Sequence, residues 1–150
     1  MLRLQSEVMF AVDPAFVATS HLLLELSLCQ ARLQDDARYP WIVLIPRIAG
    51  ARELEDLSGA DQTLLMAEIL AAGRATRALG EVAGRPVEKL NIGALGNVTP
   101  QLHIHVVGRR ADDPAWPAPV WGHSPSLAYE SEALARTLET GRAALQDSKS

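Results

Sequence analysis

The sequence predicts an α+β fold: a mainly antiparallel sheet of about five strands, a long central helix and a C-terminal helix. Three observations predict it. Short β-branched or alternating apolar runs follow one another across short polar links, which favours antiparallel neighbours. One long stretch after Ser58 carries apolar residues at helical spacing. A second such stretch comes near the end of the chain. The expected order is strand, strand, helix, strand, strand, helix.

The segment from Leu26 to Leu33 alternates loosely and reads as the first strand of that order. Asp35, Asp36, Arg38 and Pro40 make a turn-like break. Trp41 to Ile45 is a β-branched run ended by Pro46, the signature of a strand buried on both faces. Ser58 with Asp61 fits a capping box. Leu65, Ile69, Ala72, Thr76 and Leu79 then form one apolar stripe, and Gly84 with Pro86 ends that helix. Lys89 to Ala94 reads as a strand, Gly96-Asn97 as a turn, and Leu102 to Val107 as the next strand because it alternates cleanly. Two aspartates and three prolines between Asp112 and Pro119 mark an irregular segment. Ser131 to Leu145 reads as the last helix, with Leu134, Leu138 and Leu145 on one side. A fifth strand is sought among Leu2 to Val12.

A chain of 150 residues with 48% hydrophobic and 21% charged residues is expected to form one domain, 1–150. Its core spans about residues 26–109, and a tail with the C-terminal helix occupies 110–150. Fourteen Lys and Arg against 18 Asp and Glu give a net charge of −4. That balance argues against coating nucleic acid or an anionic membrane, which needs dense positive charge. No apolar run reaches the ~20 residues of a membrane span, and no secretory leader is evident, so the expected address is the cytoplasm. The single cysteine, Cys29, lies in an apolar stretch and reads as a small core residue.

The chemistry concentrates in Gln101-Leu-His-Ile-His-Val-Val107. Strand residues alternate faces, so Leu102, Ile104 and Val106 point to the core while Gln101, His103 and His105 share the opposite face. Two imidazoles and an amide in a row need water, a ligand or hydrogen-bond partners. Three readings compete: an exposed sheet face; a metal site whose third ligand must come from His21, His123 or a distant carboxylate; and a nucleophilic histidine. A neutral imidazole can attack phosphorus. The preceding loop, from Asn91 through Gly96 and Asn97, offers backbone N–H groups and side-chain amides to phosphate oxygens.

The run Gln101-Leu-His-Ile-His-Val-Val107 resembles the histidine-triad (HIT) motif, His-φ-His-φ-His-φ-φ with φ apolar. The Asn91 to Asn97 loop and the Trp41-Ile-Val-Leu-Ile-Pro-Arg47 strand look like matching parts of the same superfamily. The resemblance covers roughly Leu26 to Arg109. The tail Ala115-Trp-Pro-Ala-Pro-Val-Trp-Gly122 looks like a bacterial branch. The resemblance implies a nucleotide hydrolase or nucleotidyl transferase that cleaves at an α-phosphate without a cofactor or metal. Dinucleoside polyphosphates such as diadenosine tetraphosphate, nucleoside phosphoramidates and adenylylated substrates are the implied targets. It puts the nucleophile on His103, a phosphate-region donor on His105 and substrate contacts on Asn91, Gly96, Asn97 and Thr99. A ribose contact falls on Asp35, with Gln34 and Asp36 close behind. A homodimer with a continuous sheet is implied as well. The departure is Gln101, where the family pattern has its first histidine. A nucleotide-binding module with little turnover and a His-based metal protein are the alternatives. Trp116 and Trp121 read either as base-stacking residues or as pins for the tail. Arg109 and Arg110 read as contacts to distal phosphates or as a solvated strand end.

Overall fold

The computed structural model describes residues 9–147. Five strands form one antiparallel sheet: β1 (Ser20–Glu25), β2 (Cys29–Gln34), β3 (Trp41–Pro46), β4 (Lys89–Gly93) and β5 (Ile104–Arg109). Their spatial order is β1-β2-β3-β5-β4. Strand β3 is central and every residue in it is buried, as its continuous apolar run requires. Helix α1 (Pro14–Thr19) precedes the sheet, α2 (Gly59–Val82) crosses it between β3 and β4, and α3 (Ser131–Asp147) follows β5.

The central helix forms as its pattern dictates. Ser58 Oγ accepts the Asp61 N–H at 3.2 Å, which caps the first turn. Leu65, Ile69, Ala72, Thr76 and Leu79 are all buried and run down the face against the sheet. The helix stops where Gly84 takes a φ of +72°, a conformation that costs glycine nothing, and Arg85 N–H closes the end on Gly80 O. Helix α3 packs on α2 and β1, with Leu145 fully buried.

The strands begin one element earlier than expected. Leu26, Ser27 and Leu28 form a turn, not strand, closed by Leu26 N–H on Cys29 O at 2.8 Å. Glu68 of α2 secures this turn: its buried carboxylate accepts the N–H groups of Leu28 and Cys29, each at 2.8 Å. The fifth strand of the sheet is therefore β1. Of the range Leu2 to Val12, residues 2–8 lie outside the described residues, and 9–12 form no strand. The three consecutive leucines Leu22, Leu23 and Leu24 hide the alternation of β1, and a register irregularity between Leu22 and Leu24 breaks it. The packed body thus starts well before residue 26. Cys29 is fully buried, and burial followed by the neighbouring Glu68 charge drives its thiol pKa up.

The sheet has two covered faces. Ala31, Leu33, Ile42, Leu44, Ile104 and Val106 meet α2 and α3. On the other face, Trp41, Val43, Ile45 and Val107 lie under Phe16 of α1 and under Ala115 and Val120 of the long connection before α3. That connection is tied down by Arg109. Its guanidinium meets both carboxylate oxygens of Asp113 (2.8 and 3.0 Å), Asn91 Oδ1 (2.8 Å) and Ala118 O (2.8 Å). Arg109 is buried, so neither the phosphate contact nor the solvated strand end expected for it occurs. Arg110 instead turns outward to Asp112 and Pro86 O. The Trp116 ring stacks 5.6 Å from the Arg109 guanidinium and helps pin the connection.

Candidate functional site

His103 and His105 lie where the ladder of β5 ends. The last cross-strand pairs at that end are Leu44 with Ile104 and Gly93 with His105, so His103 extends just beyond both neighbours. The alternation continues through it. Leu102 and Ile104 enter the core beneath α2, while the two imidazoles share the other face with ring centroids 4.8 Å apart. Aromatic rings surround the pair: Phe16 is 4.7 Å from His103, and Trp41 and Trp121 are 5.6 and 5.4 Å from His105. His103 retains only 6% of its exposure.

Hydrogen bonds assign opposite tautomers to the two rings. His103 Nδ1 is 2.7 Å from the main-chain oxygen of Gln101. A carbonyl only accepts, so this Nδ1 carries the proton and Nε2 presents a lone pair. Trp41 Nε1–H only donates, and it meets His105 Nδ1 at 3.0 Å. That Nδ1 must therefore be the unprotonated nitrogen, and Nε2 carries the hydrogen. Burial, and then the charge that His103 can carry, hold the His105 pKa down at about 3. Proton uptake would also set N–H against N–H at Trp41. The pair thus offers one nucleophilic nitrogen and, beside it, one fixed neutral donor.

Three of the expected substrate residues come to the histidines. Gly96, Asn97 and Thr99 line a cavity of about 200 Å³ together with His103, His105 and Trp121. Gly96 turns the loop with a φ of +74°. A second opening, of about 290 Å³, reaches His103 from the side of Arg52, Glu53 and Leu95. Trp121 Nε1 is buried and makes no hydrogen bond among the described residues.

Three other expected residues are engaged elsewhere. Asn91 shares the sheet face of the histidines, but it pairs with Val107 farther along and its Oδ1 is taken by Arg109. Asp35 follows β2 and so sits beside the start of β3, whereas β5 begins beside the end of β3; strand direction puts Asp35 at the far end of the sheet. There it accepts Tyr129 N–H at 3.1 Å and lies 3.3 Å from His21 Nε2. Its neighbour Asp36 is buried against Arg38, and Gln34 pairs with Ser20 in the ladder. Gln101 is beside the site, but its side chain turns to the N-terminal segment: Nε2–H donates to Ala11 O and Oε1 accepts Asp13 N–H, each at 2.8 Å. Among the described residues no group of three or more His, Cys, Asp or Glu is placed to hold a metal ion.

Sequence reasoning did not find Trp41 and Phe16 as parts of the site. Trp41 lies diagonally across the ladder from His105, since Val43 is the residue directly opposite. The pairing of Trp41 with the histidine strand was signalled only by its indole in an otherwise aliphatic run. Phe16 arrives from a six-residue helix with no local mark of its destination.

An antiparallel five-stranded sheet with one long helix across it, and two histidines at alternate positions behind a glycine-bearing loop, defines the layout of a histidine-triad protein. The chain belongs to this family: the HIT domain matches residues 15–112. Three bacterial histidine triad proteins of known structure are similar over nearly their whole length. The one from Bradyrhizobium japonicum is 36% identical, with 91% of this chain and 98% of that chain covered and a TM-score of 0.83. That from Marinobacter aquaeolei VT8 is 37% identical over 93% and 98%, with a TM-score of 0.84. That from Sinorhizobium meliloti 1021 is 35% identical over 93% and 96%, with a TM-score of 0.80. No curated protein matches the chain. The family is one of nucleotide-binding proteins and of nucleotidyl hydrolases and transferases. Among the described residues no helix is long and apolar enough to cross a membrane.

Proposed function

We propose that this chain is a nucleotidyl hydrolase or transferase that works through a covalent nucleotidyl-His103 intermediate. The observation that carries the reading is the opposed pair of tautomers: a lone pair on His103 Nε2 beside an N–H on His105 Nε2. In the first step Nε2 of His103 attacks an α-phosphorus and forms a P–N bond. The bond from phosphorus to the leaving group breaks, and the leaving group keeps the electron pair. The imidazolium so formed keeps its Nδ1–H on Gln101 O. In the second step water attacks the same phosphorus, the P–N bond breaks, and His103 returns to its neutral form as the water's proton is lost to solvent. His105 Nε2–H donates to a phosphoryl oxygen throughout. Gly96, Asn97 and Thr99 contact the phosphate or the sugar, and the unpaired Trp121 Nε1–H supplies a further donor at the same cavity.

Purine nucleotides joined to a leaving group fit the reading, including dinucleoside polyphosphates, nucleoside phosphoramidates and adenylylated compounds. A homodimer built across the helix and a strand edge belongs to the same reading, as does a cytoplasmic location. The edge strand β4 leaves Ile92 exposed, which supports pairing through that edge. A 16 kDa particle in light scattering would count against the dimer.

A second reading is a nucleotide-binding module with little turnover, favoured by the near-complete burial of His103 under Phe16. One experiment separates the two. Wild type and His103→Asn are assayed against a panel of nucleotide conjugates, with intact mass measured on rapidly quenched samples. The expected result is turnover and one nucleotidyl adduct in wild type, and binding without either in the variant. Binding with neither turnover nor adduct in wild type supports the module; full activity in His103→Asn overturns the covalent nucleotidyl-His103 intermediate.

A further inference from the structure

Residue 101 touches the histidine site in two separate ways. Its main-chain oxygen holds His103 Nδ1, a contact any residue at this position makes. Its side chain does something else. The amide meets one acceptor and one donor of the N-terminal segment, Ala11 O and Asp13 N–H, with its own N–H and oxygen in the matching places. Asp13 is the cap of α1: its Oδ1 accepts the Ala15 N–H at 2.9 Å. Pro14 then starts the helix, and Phe16 on its first turn projects onto the His103 ring. At its far end α1 is held as well. Ser20 Oγ donates to Phe16 O, Arg32 holds Ser20 with two hydrogen bonds, and Asp35 N–H meets Thr19 O. The segment 11–20 is a strap anchored on both sides of the site. The two openings described at His103 are lined by residues of the loop 94–101, one of them together with Arg52 to Glu55, and neither is lined by residues 11–20.

We propose that Gln101 is a positioning residue of the site proposed above, acting through this strap. Its side chain latches residues 11–13 so that Phe16 packs on His103, fixes the plane of the nucleophilic ring and excludes water from above it. The leaving group and water then enter only through the openings beside residues 94–101. A histidine's titration is not needed for this task, but one donor and one acceptor are. Glutamine supplies both at every pH near neutrality.

The proposal rests on the nucleophile reading for its kinetic consequence, but not for its structural one. The test therefore has two arms on the full chain. In the first, amide hydrogen exchange is compared in wild type, Gln101→Leu and Gln101→His. Gln101→Leu removes both hydrogen bonds at similar size, so exchange over residues 11–19 should rise about thirtyfold, the effect of losing two ordinary hydrogen bonds. Exchange in β3 and β5 should stay as in wild type, which shows that the variant is folded. Gln101→His should restore slow exchange. In the second arm, kcat and KM are measured on the best substrate of the panel. Gln101→Leu should lower kcat about tenfold or more with a smaller change in KM, because a misaligned nucleophile binds but does not react. Phe16→Ala should reproduce that split although residue 101 is intact. Unchanged exchange at residues 11–19 in Gln101→Leu overturns the latch whatever the enzyme does. Faster exchange with unchanged kcat in both variants overturns the link to His103. Loss of the His103 adduct in wild type strikes the nucleophile reading alone and leaves the exchange result standing.

Discussion

His105 makes a prediction that needs no substrate. Its ring is half-buried beneath Trp41 and Trp121, and Trp41 occupies Nδ1 with a donated hydrogen. Burial first, and a charge on His103 second, depress its pKa to about 3. In the unfolded chain the same ring titrates near its ordinary value of about 6.5. Between these two values the unfolded state binds a proton that the folded state refuses, so stability rises with pH there and falls on acidification. The contribution is fully present above about pH 6.5 and declines by up to about 1.4 kcal/mol for each pH unit below it. Allowing for the water that still reaches a half-buried ring, moving from pH 7.5 to 5.5 should cost about 1 kcal/mol through His105 alone. The comparison protein is His105→Asn, whose Oδ1 falls near the position of Nδ1 and can accept from Trp41, but does not titrate. Urea unfolding of both proteins at the two pH values isolates the residue, because every other titrating group is common to both. Wild type should lose about 1 kcal/mol more than the variant on acidification. Equal losses would mean that His105 takes up a proton as readily folded as unfolded, and the assigned tautomer would fall with that result.

Two further perturbations read other parts of the design. Trp41→Phe keeps the ring but removes the N–H on His105, so Nε2–H is no longer fixed; kcat/KM should fall about tenfold, the effect of one misplaced donor at a reacting phosphate, measured by steady-state assay on the best substrate. Glu68→Ala strips the acceptor from two buried backbone N–H groups at the β1–β2 turn and should lower stability by about 2–4 kcal/mol in urea unfolding, whereas Glu68→Gln, which keeps one acceptor oxygen, should lose about half as much.

What the sequence made legible was local in its physics. The period-2 alternation from Leu102 to Val107 put both histidines on one face without any knowledge of neighbours. The cap at Ser58, the apolar stripe after it and the glycine stop at residue 84 are likewise signals carried within a few residues. The rest depends on strand direction, on a side chain from the next strand, on a turn and on a register that the local pattern does not show. Asp35 was chosen because it follows a core strand, but strand direction sends that end of β2 away from His103. Asn91 lies on the right face, but Arg109 reaches its Oδ1 from the next strand. Arg109 itself reads as a surface residue until Asp113 folds back onto it, a pairing that depends on the turn through residues 110–113. Strand β1 was hidden by three adjacent leucines whose inward and outward members only the sheet distinguishes.

The same distinction between local and distant partners bears on the missing first histidine. A motif compares side chains, and by that measure Gln101 is a loss. The contact that sets the tautomer of His103, however, comes from the main chain of residue 101 and survives any substitution there. The partner that sets the tautomer of His105 is Trp41, outside the motif. Both determinants of the histidine pair are thus independent of the side chain at position 101. That side chain is left to bond the strap at Ala11 and Asp13, which no spacing within the motif foretells. Within the protein, the hydrogen bonds of the Gln101 side chain lead to the strap and through it to Phe16, and among the described residues none joins that side chain to either imidazole.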